Sequence, residues 1–242
     1  MTNEVIITQR DDHVLEIELN RPEQGNALTP AMAEAISAAL RTLDPETRAV
    51  LVKAAGADFC TGRDGAKLAP GTRATALDLR RLISDPVLDF YQVLREVPVP
   101  VVTRVQGRAN GVGCAIAALA DVAIAVDIAR FQVPEMNHDI APTLVMNALA
   151  DRISRAALAR LVLTRDAVEA AEAKALGLIG VVTGADTLEA EAERIVGQLA
   201  KNSAATVRAV KAFLSTAPET SFAARKELAA LINSVAFAER FR

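Results

Sequence analysis

The 242-residue sequence has no tryptophan, one tyrosine, two histidines, two cysteines and no strong excess of charge of either sign. Two cysteines, Cys60 and Cys114, are too few for a disulfide framework, and they predict free thiols in a reducing compartment such as the cytoplasm. The formal net charge of −3 disfavours a nucleic-acid-binding protein, which needs a basic excess or a basic patch. A hydrophobic content of 51% excludes a disordered chain.

Long hydrophobic runs are also missing. The longest run, residues 111–120, reaches about half of the roughly 18–20 apolar residues that a membrane-spanning helix requires. Charged residues within the first twenty positions exclude a secretory signal peptide. The sequence therefore predicts no association with a membrane.

The short motifs of nucleotide and metal sites are absent as well. Residues 62–67 end in a glycine-x-lysine pattern but lack the spacing and the hydroxyl of a phosphate-binding loop, and residues 111–116 lack the third glycine of a dinucleotide fingerprint. Neither His13 nor His138 lies in a zinc-binding pattern. A nucleophilic pair of Cys114 and His138 is conceivable, although a thiol inside an apolar helix is more often inert. We expect no metal and no dissociable cofactor.

The hydrophobic pattern predicts a mixed α/β fold. Residues 14–19 alternate with a period of two after a short apolar run and a polar turn, which is typical of a β-hairpin. Continuous apolar runs at 49–52, 101–105 and 122–126 predict strands of a parallel sheet. Helices predicted between them, such as 30–42 and 111–120, complete βαβ units. The chain is mostly helical after residue 142, and we expect a core of residues 1–185 and a helical region of 186–242.

Two loops that contain glycine follow predicted buried strands, at residues 54–64 and 105–113. Ligands of open α/β sheets bind at the carboxyl ends of strands. The second loop leads directly into an apolar helix, whose N-terminus offers unpaired N–H groups. One N–H from each loop could therefore bind a single oxygen and form an oxyanion hole. The alternative interpretation is two tight turns with no ligand.

Several dispersed motifs resemble those of the crotonase (enoyl-CoA hydratase/isomerase) superfamily, in register from about residue 5 to residue 215. They are Asn20-Arg21-Pro22-Glu23 with Asn26-Ala27-Leu28, Phe59-Cys60-Thr61-Gly62-Arg63-Asp64, the glycines 107, 111 and 113 with Cys114 and Asp121, Phe131 with Pro134-Glu135, and residues 170–179. The resemblance implies a crotonase-like ββα spiral core. It also implies a helical C-terminal region used in assembly into a homotrimer or a dimer of trimers.

The same resemblance implies an acyl-CoA thioester as substrate, polarised by the backbone N–H groups of Arg63 and Val112. Residues near the CoA moiety would be Ala57, Arg63, Asp64, Lys67 and Gly111. The side chains of Arg63 and Lys67 could meet the CoA phosphates, or they could be ordinary solvated charges.

The carboxylates depart from the pattern of a hydratase. A typical hydratase of the superfamily has a glutamate where this sequence has Ala115, whereas the second glutamate of the superfamily corresponds to Glu135. Such a loss resembles Δ3-Δ2-enoyl-CoA isomerases, in which one base can move a proton between two carbons. Asp139 is a further candidate acid or base, and His138 lies beside it, although both could be structural or surface residues.

Three functions therefore stay open. The first and favoured one is an enoyl-CoA isomerase or a related proton-shifting enzyme. The second is a hydratase in which Asp139 or another group replaces the missing carboxylate. The third is an acyl-CoA binder, hydrolase or decarboxylase. The sequence does not indicate the acyl chain of the substrate.

Overall fold

The computed structural model describes residues 4–65 and 73–241. These residues contain nine strands: β1 (Val5–Gln9), β2 (Val14–Leu19), β3 (Ala49–Ala54), β4 (Val101–Val105), β5 (Arg108–Asn110), β6 (Val122–Val126), β7 (Arg130–Gln132), β8 (Val168–Glu169) and β9 (Val181–Thr183). The larger sheet has six strands in the order β1-β2-β3-β4-β6-β9. A smaller sheet has the order β5-β7-β8.

The larger sheet confirms the mixed α/β prediction. Strands β1 and β2 form the expected antiparallel hairpin, and all later neighbours in this sheet are parallel. Strand β3 is buried at five of its six positions, as a run covered on both faces should be. The carboxyl ends of β3 and β4 therefore lie side by side, and the two glycine loops begin there.

The described residues form ten α-helices: α1 (Pro30–Arg41), α2 (Ala76–Leu79), α3 (Asp85–Glu96), α4 (Val112–Leu119), α5 (Thr143–Leu149), α6 (Arg155–Thr164), α7 (Ala170–Leu176), α8 (Leu188–Ala200), α9 (Ala204–Thr216) and α10 (Phe222–Ala238). Helix α1 begins as the sequence predicts. The Thr29 hydroxyl accepts the N–H of Met32 at 3.1 Å, and Pro30 occupies the first helical position.

The helical segment on either side of Pro86 is not a continuous α-helix. Residues Arg80–Ser84 between α2 and α3 form a π-helical turn, in which the N–H of Asp85 bonds the carbonyl of Arg80. Pro86 has no N–H to donate to the preceding turn, so the regular α-helical ladder is interrupted here. The turn brings Ile83 and Pro86 to the side of the molecule where the first glycine loop ends.

The smaller sheet was not expected from the sequence. Strand β5 lies within the second glycine loop, and β8 directly precedes helix α7 in the part of the chain predicted as mostly helical. Strands of two or three residues are too short to produce a period that identifies them. Strand β5 pairs with β7, and this pairing joins the second loop to the segment that leads to Glu135.

The C-terminal helices differ in how they contact the rest of the chain. Helix α8 packs on the larger sheet and buries Leu188, Ala192 and Val196. Helix α9 is attached by Lys211, which is 4% exposed and bonds both carboxylate oxygens of Asp121 at 2.8–2.9 Å. None of residues 222–238, all of which the structure describes, is buried. The division into 1–185 and 186–242 stays a prediction.

Candidate active site

A buried asparagine holds the first loop in place. Asn26 is fully buried with a positive φ of 54°, and its amide donates to the carbonyls of Ala55 and Asp58 at 2.8 Å. The side-chain oxygen of Asn26 accepts the N–H of Arg21 at 2.8 Å. Asn26 therefore has a structural role, because its side chain joins the backbone at Arg21 to the backbone of the first loop.

Backbone pairing orients the N–H of Arg63. The N–H of Leu28 bonds the carbonyl of Gly62 at 2.9 Å, and the N–H of Asp64 bonds the carbonyl of Leu28 at 2.9 Å. Leu28 and Arg63 form a parallel bridge, in which Leu28 bonds the residues on both sides of Arg63. The N–H of Arg63 itself therefore points away from Leu28. The N–H of Arg63 has no partner among the described residues.

The second donor is the first N–H of helix α4. Gly111 precedes the helix with a φ of 52°, and the first backbone bond of the helix joins the N–H of Ala115 to the carbonyl of Gly111 at 3.0 Å. The N–H of Val112 therefore has no partner within the helix, nor elsewhere in the described ranges 4–65 and 73–241. A side chain at Gly113 would overlap the carbonyl oxygen of Cys60, so glycine there lets α4 approach the first loop.

Arg63 and Val112 line one cavity of about 350 Å³. Its other walls come from the start of α1 and from α3, with apolar contacts from Leu28, Ala33, Pro86, Val87 and Phe90. The volume lies in the range of small-molecule sites. The structure thus brings the two sequence-predicted donors to one concave site, and their role as an oxyanion hole stays a prediction.

Glu135 lies beside the glycines that precede both donors. A β-carbon built on Gly111 would lie 2.6 Å from Oε1 of Glu135 and 4.0 Å from the Cα of Gly62. Oε2 of Glu135 is buried and has no hydrogen-bond partner in the described part of the chain. Burial raises the pKa of the Glu135 carboxyl above its usual range. A partly buried carboxyl with a raised pKa, close to the two proposed donors, has the properties of a general base.

The position at which a typical hydratase of the superfamily has its first glutamate is apolar in this chain. Ala115 is fully buried in the first turn of α4. Cys114 beside it is also buried, and burial raises the pKa of its thiol to about 12. His138 is exposed. The burial of the Cys114 thiol and the exposure of His138 disfavour a nucleophilic pair of these two residues.

Tyr91 is a residue of this site that the sequence analysis missed. It lies on the buried face of α3 and is 2% exposed. Burial raises the pKa of its hydroxyl, and the negative charge of Glu135 raises it further. Tyr91 is therefore a neutral phenol near the carboxylate. Its place on the apolar face of an amphipathic helix predicted only a core residue.

Asp139 lies apart from the two donors. It is exposed, ends the short 3-10 turn Glu135–His138 with a φ of 56°, and lines a second cavity with Met136 and Arg155. Neither Asp139 nor Glu135 is among the described residues that line the cavity of Arg63 and Val112, but Glu135 contacts Gly111, the residue before Val112. The role of Asp139 in acid–base chemistry stays a prediction.

The residues expected near CoA differ in their exposure. Ala57 and Asp64 are exposed, and Asp64 pairs with Arg21 at 3.0 Å. Gly111 lies deeper, against Glu135. Lys67 lies outside the described residues. No group of three or more potential metal ligands occurs in the described ranges, and no helix there is long and apolar enough to cross a membrane.

Comparison with known proteins finds relatives that match most of the chain. The family model described as enoyl-CoA hydratase/isomerase matches residues 9–239. A protein of Mycobacterium bovis named probable enoyl-CoA hydratase EchA8 is 33% identical over 227 residues, which cover 91% of this chain and 85% of the relative.

Solved structures agree with this match. An enoyl-CoA hydratase of Mycobacterium smegmatis superposes with a TM-score of 0.89 at 29% identity, over 96% of this chain and 90% of the other. A structure described as an enoyl-CoA hydratase of Thermobifida fusca YX in complex with CoA gives a TM-score of 0.86 at 26% identity, over 98% and 93% of the two chains.

Proposed function

We propose that this chain, which belongs to the enoyl-CoA hydratase/isomerase family, shifts the double bond of an enoyl-CoA thioester by means of a single carboxylate, that of Glu135. The membership confirms the resemblance of the sequence motifs to the crotonase superfamily and makes the chain an acyl-CoA enzyme of that family. The preference for isomerisation is our proposal.

The observation that carries this proposal is the isolation of Glu135. Its carboxylate lies against Gly111, whereas the position of a second carboxylate holds the fully buried Ala115. Hydration needs one group to activate water and another to protonate carbon. A 1,3-proton shift needs one group that first accepts and then returns a proton.

The reaction would proceed in two steps. The N–H groups of Arg63 and Val112 bind the thioester oxygen of a 3-enoyl-CoA, and Glu135 removes a proton from C2. The electron pair of the broken C–H bond enters a dienolate, whose negative oxygen the two N–H groups stabilise. The protonated Glu135 then delivers the same proton to C4, which gives the 2-enoyl-CoA and restores the carboxylate.

The environment of Glu135 supports both steps. Because burial raises its carboxyl pKa, the ionised form is a stronger base than an exposed glutamate and holds the abstracted proton more tightly. Tyr91 stays neutral beside it and so adds no competing charge.

A second candidate function is hydration, which the names of the relatives favour. A hydratase would need another group to hold and deprotonate water. Asp139 is the candidate that the sequence offers, and it lines a different cavity from Arg63 and Val112.

The test offers the enzyme 3-enoyl-CoA and 2-enoyl-CoA in separate reactions, with migration of the double bond and formation of 3-hydroxyacyl-CoA measured by chromatography. Isomerisation at least tenfold faster than hydration supports the proposal. Efficient hydration of 2-enoyl-CoA with slow isomerisation favours the hydratase, and neither reaction favours a binder, hydrolase or decarboxylase.

We also propose assembly into a homotrimer or a dimer of trimers in the cytoplasm. Helix α10 and its end expose several large apolar side chains, which a neighbouring subunit would cover: Phe222, Leu231, Val235, Phe237 and Phe241. Light scattering coupled to gel filtration measures the mass directly, and a monomer at micromolar concentration would contradict the assembly.

A further inference from the structure

We propose that the side chain of Arg63 gives this site a preference for acyl groups that carry a second, negatively charged carboxylate a few carbon atoms from the thioester. The inference rests on the proposed function, in which the backbone N–H of Arg63 binds the thioester oxygen. It adds a substrate class, the CoA thioesters of dicarboxylic acids.

Arg63 is a partly buried cation without a matching anion. Arg63 lines the cavity together with Val112, and its side chain extends toward the π-helical turn, where Nη1 donates to the carbonyl of Ile83 at 3.3 Å. No carboxylate of the described residues forms an ion pair with it, and the sequence of residues 66–72 contains neither Asp nor Glu. Burial lowers the pKa of the guanidinium, which nevertheless stays charged at neutral pH. Burying a charge is unfavourable unless a partner compensates it.

The guanidinium of Arg63 suits a carboxylate. It has five N–H donors in a planar fork that matches the two oxygens of a carboxylate, and among the described residues only the carbonyl of Ile83 accepts from its side chain. The apolar walls from Pro86, Val87 and Phe90 would contact the carbon chain between the thioester and that carboxylate.

Reach favours an acyl carboxylate over a CoA phosphate. If the N–H of Arg63 holds the thioester oxygen, its own guanidinium lies within about 10 Å of the carbonyl carbon, given the length of an extended arginine side chain. Thirteen bonds separate the thioester sulfur from the nearest phosphorus of CoA, which is roughly 16 Å in an extended chain at about 1.2 Å per bond. The pantetheine arm would have to fold back to reach Arg63.

Three other charged residues line the cavity: Glu34, Arg41 and Asp89. All three are exposed. Solvent and salt therefore screen their charges more strongly than that of the partly buried Arg63. Their combined charge of −1 does not remove the attraction of the buried guanidinium for a substrate carboxylate that leaves bulk water.

The test measures the binding of four saturated ligands, on which no double-bond shift can occur. They are free CoA, butyryl-CoA, glutaryl-CoA and the methyl ester of glutaryl-CoA, each titrated by calorimetry into the wild-type protein, Arg63→Met and Arg194→Met. Arg194 is exposed, lies on α8 and pairs with Glu191. Its variant is the control for removal of one positive charge.

We expect the wild type to bind glutaryl-CoA about tenfold or more tightly than its methyl ester, as a charge-assisted bond to a desolvated guanidinium allows. The ratio should fall to about one in Arg63→Met and should persist in Arg194→Met. Equal affinity of the wild type for glutaryl-CoA and its methyl ester overturns the proposal. This comparison uses the wild type alone, so it tests the proposal even if Arg63→Met does not fold.

Two further outcomes separate the alternatives. If Arg63→Met weakens all four ligands by the same factor, the guanidinium binds a CoA phosphate and the proposal is wrong. If the tenfold ratio is present while the wild type does not isomerise 3-enoyl-CoA, the substrate preference stands and the proposed reaction fails. If the wild type isomerises 3-enoyl-CoA but binds glutaryl-CoA and its methyl ester equally, the proposed reaction stands and the substrate preference fails.

Discussion

The carboxylate of Glu135 lies against the backbone of Gly111, so that a β-carbon on residue 111 would come within 2.6 Å of Oε1. Gly111 is also the residue before Val112, whose N–H is the first of helix α4. The proposed base and one proposed oxyanion donor are therefore positioned by the same backbone unit. A change at Gly111 should disturb both the proton transfer and the stabilisation of the enolate.

The first prediction concerns Gly111→Ala. The new methyl group would contact Oε1 of Glu135, and the φ of 52° is unfavourable for alanine. We expect a loss of about 1–3 kcal/mol of stability from such strain and a clear fall in turnover. The control is Gly197→Ala within α8, where a β-carbon meets no atom within 4 Å. That variant should gain roughly 0.5–1 kcal/mol, since glycine weakens a helix interior. Equal turnover and equal melting temperatures in the two variants would contradict the arrangement.

The second prediction concerns Glu135→Gln. The amide has nearly the same shape but cannot accept the C2 proton, so turnover of 3-enoyl-CoA should fall by at least about 10²-fold. The matched control is Glu46→Gln, at an exposed position in the turn after α1, which should keep wild-type turnover. Steady-state kinetics and the exchange of the C2 proton with deuterated solvent measure the effect. Near-complete activity of Glu135→Gln on every enoyl-CoA tested would remove Glu135 from the mechanism.

The third prediction is a dependence of stability on pH. Burial raises the carboxyl pKa of Glu135 in the folded state. Below the ordinary carboxyl pKa, Glu135 is protonated in both the folded and the unfolded state and does not lower the free energy of unfolding. As pH rises through the higher folded pKa, the folded state has to bury a charge, so this contribution to stability is lost. Glu135→Gln should therefore be more stable than the wild type at pH 7.

The difference should shrink as the pH approaches the ordinary carboxyl range, because both side chains are then neutral. Denaturant unfolding of the two proteins at a series of pH values measures it. A difference that stays constant across this range would mean that the carboxyl is not shifted. The activity of the wild type should rise with pH through the same shifted pKa, because only the carboxylate can accept a proton.

The main sheet and the two loops could be predicted from the sequence because their signals are local. The apolar runs of β3 and β4 and the cap at Thr29 depend on neighbouring residues alone. Asn26 belongs to a motif that can be recognised, although its bonds to Ala55 and Asp58 show only in the folded chain. The resemblance of the motifs implied that Arg63 and Val112 act together, and the two residues do line one cavity.

Features that depend on the packing of distant elements could not be predicted. The direction of the Arg63 side chain is determined by the π-helical turn that presents the carbonyl of Ile83. The place of Tyr91 near Glu135 depends on how α3 packs against α4. Asp139 is exposed at the end of a 3-10 turn, and its exposure depends on how that turn packs on the rest of the chain. No local period in the sequence contains these relationships.

The fourth prediction tests a backbone donor with little change to the fold. Val112 is the first residue of α4, a position where proline is well tolerated because its N–H has no helical partner. Val112→Pro should therefore stay folded but lose the donor, and turnover should fall by about 10²–10³-fold, as for other oxyanion-hole donors. Val112→Ala keeps the N–H and should retain most of the activity. Similar turnover in the two variants, with similar melting temperatures, would show that this N–H does not act in catalysis.

The last prediction concerns the missing carboxylate. Ala115 is fully buried in the first turn of α4, one helical turn after Gly111. Ala115→Glu would supply a second carboxylate, and the ratio of hydration to isomerisation should rise because water could then be held and deprotonated. A new buried charge costs several kcal/mol unless it is paired, so the melting temperature should fall. Ala115→Gln separates size from charge, since it fills the same space without a base. If Ala115→Gln raises the ratio as much as Ala115→Glu, or if the wild type already hydrates 2-enoyl-CoA efficiently and Ala115→Glu adds nothing, another group activates water and the hydratase alternative replaces the isomerase.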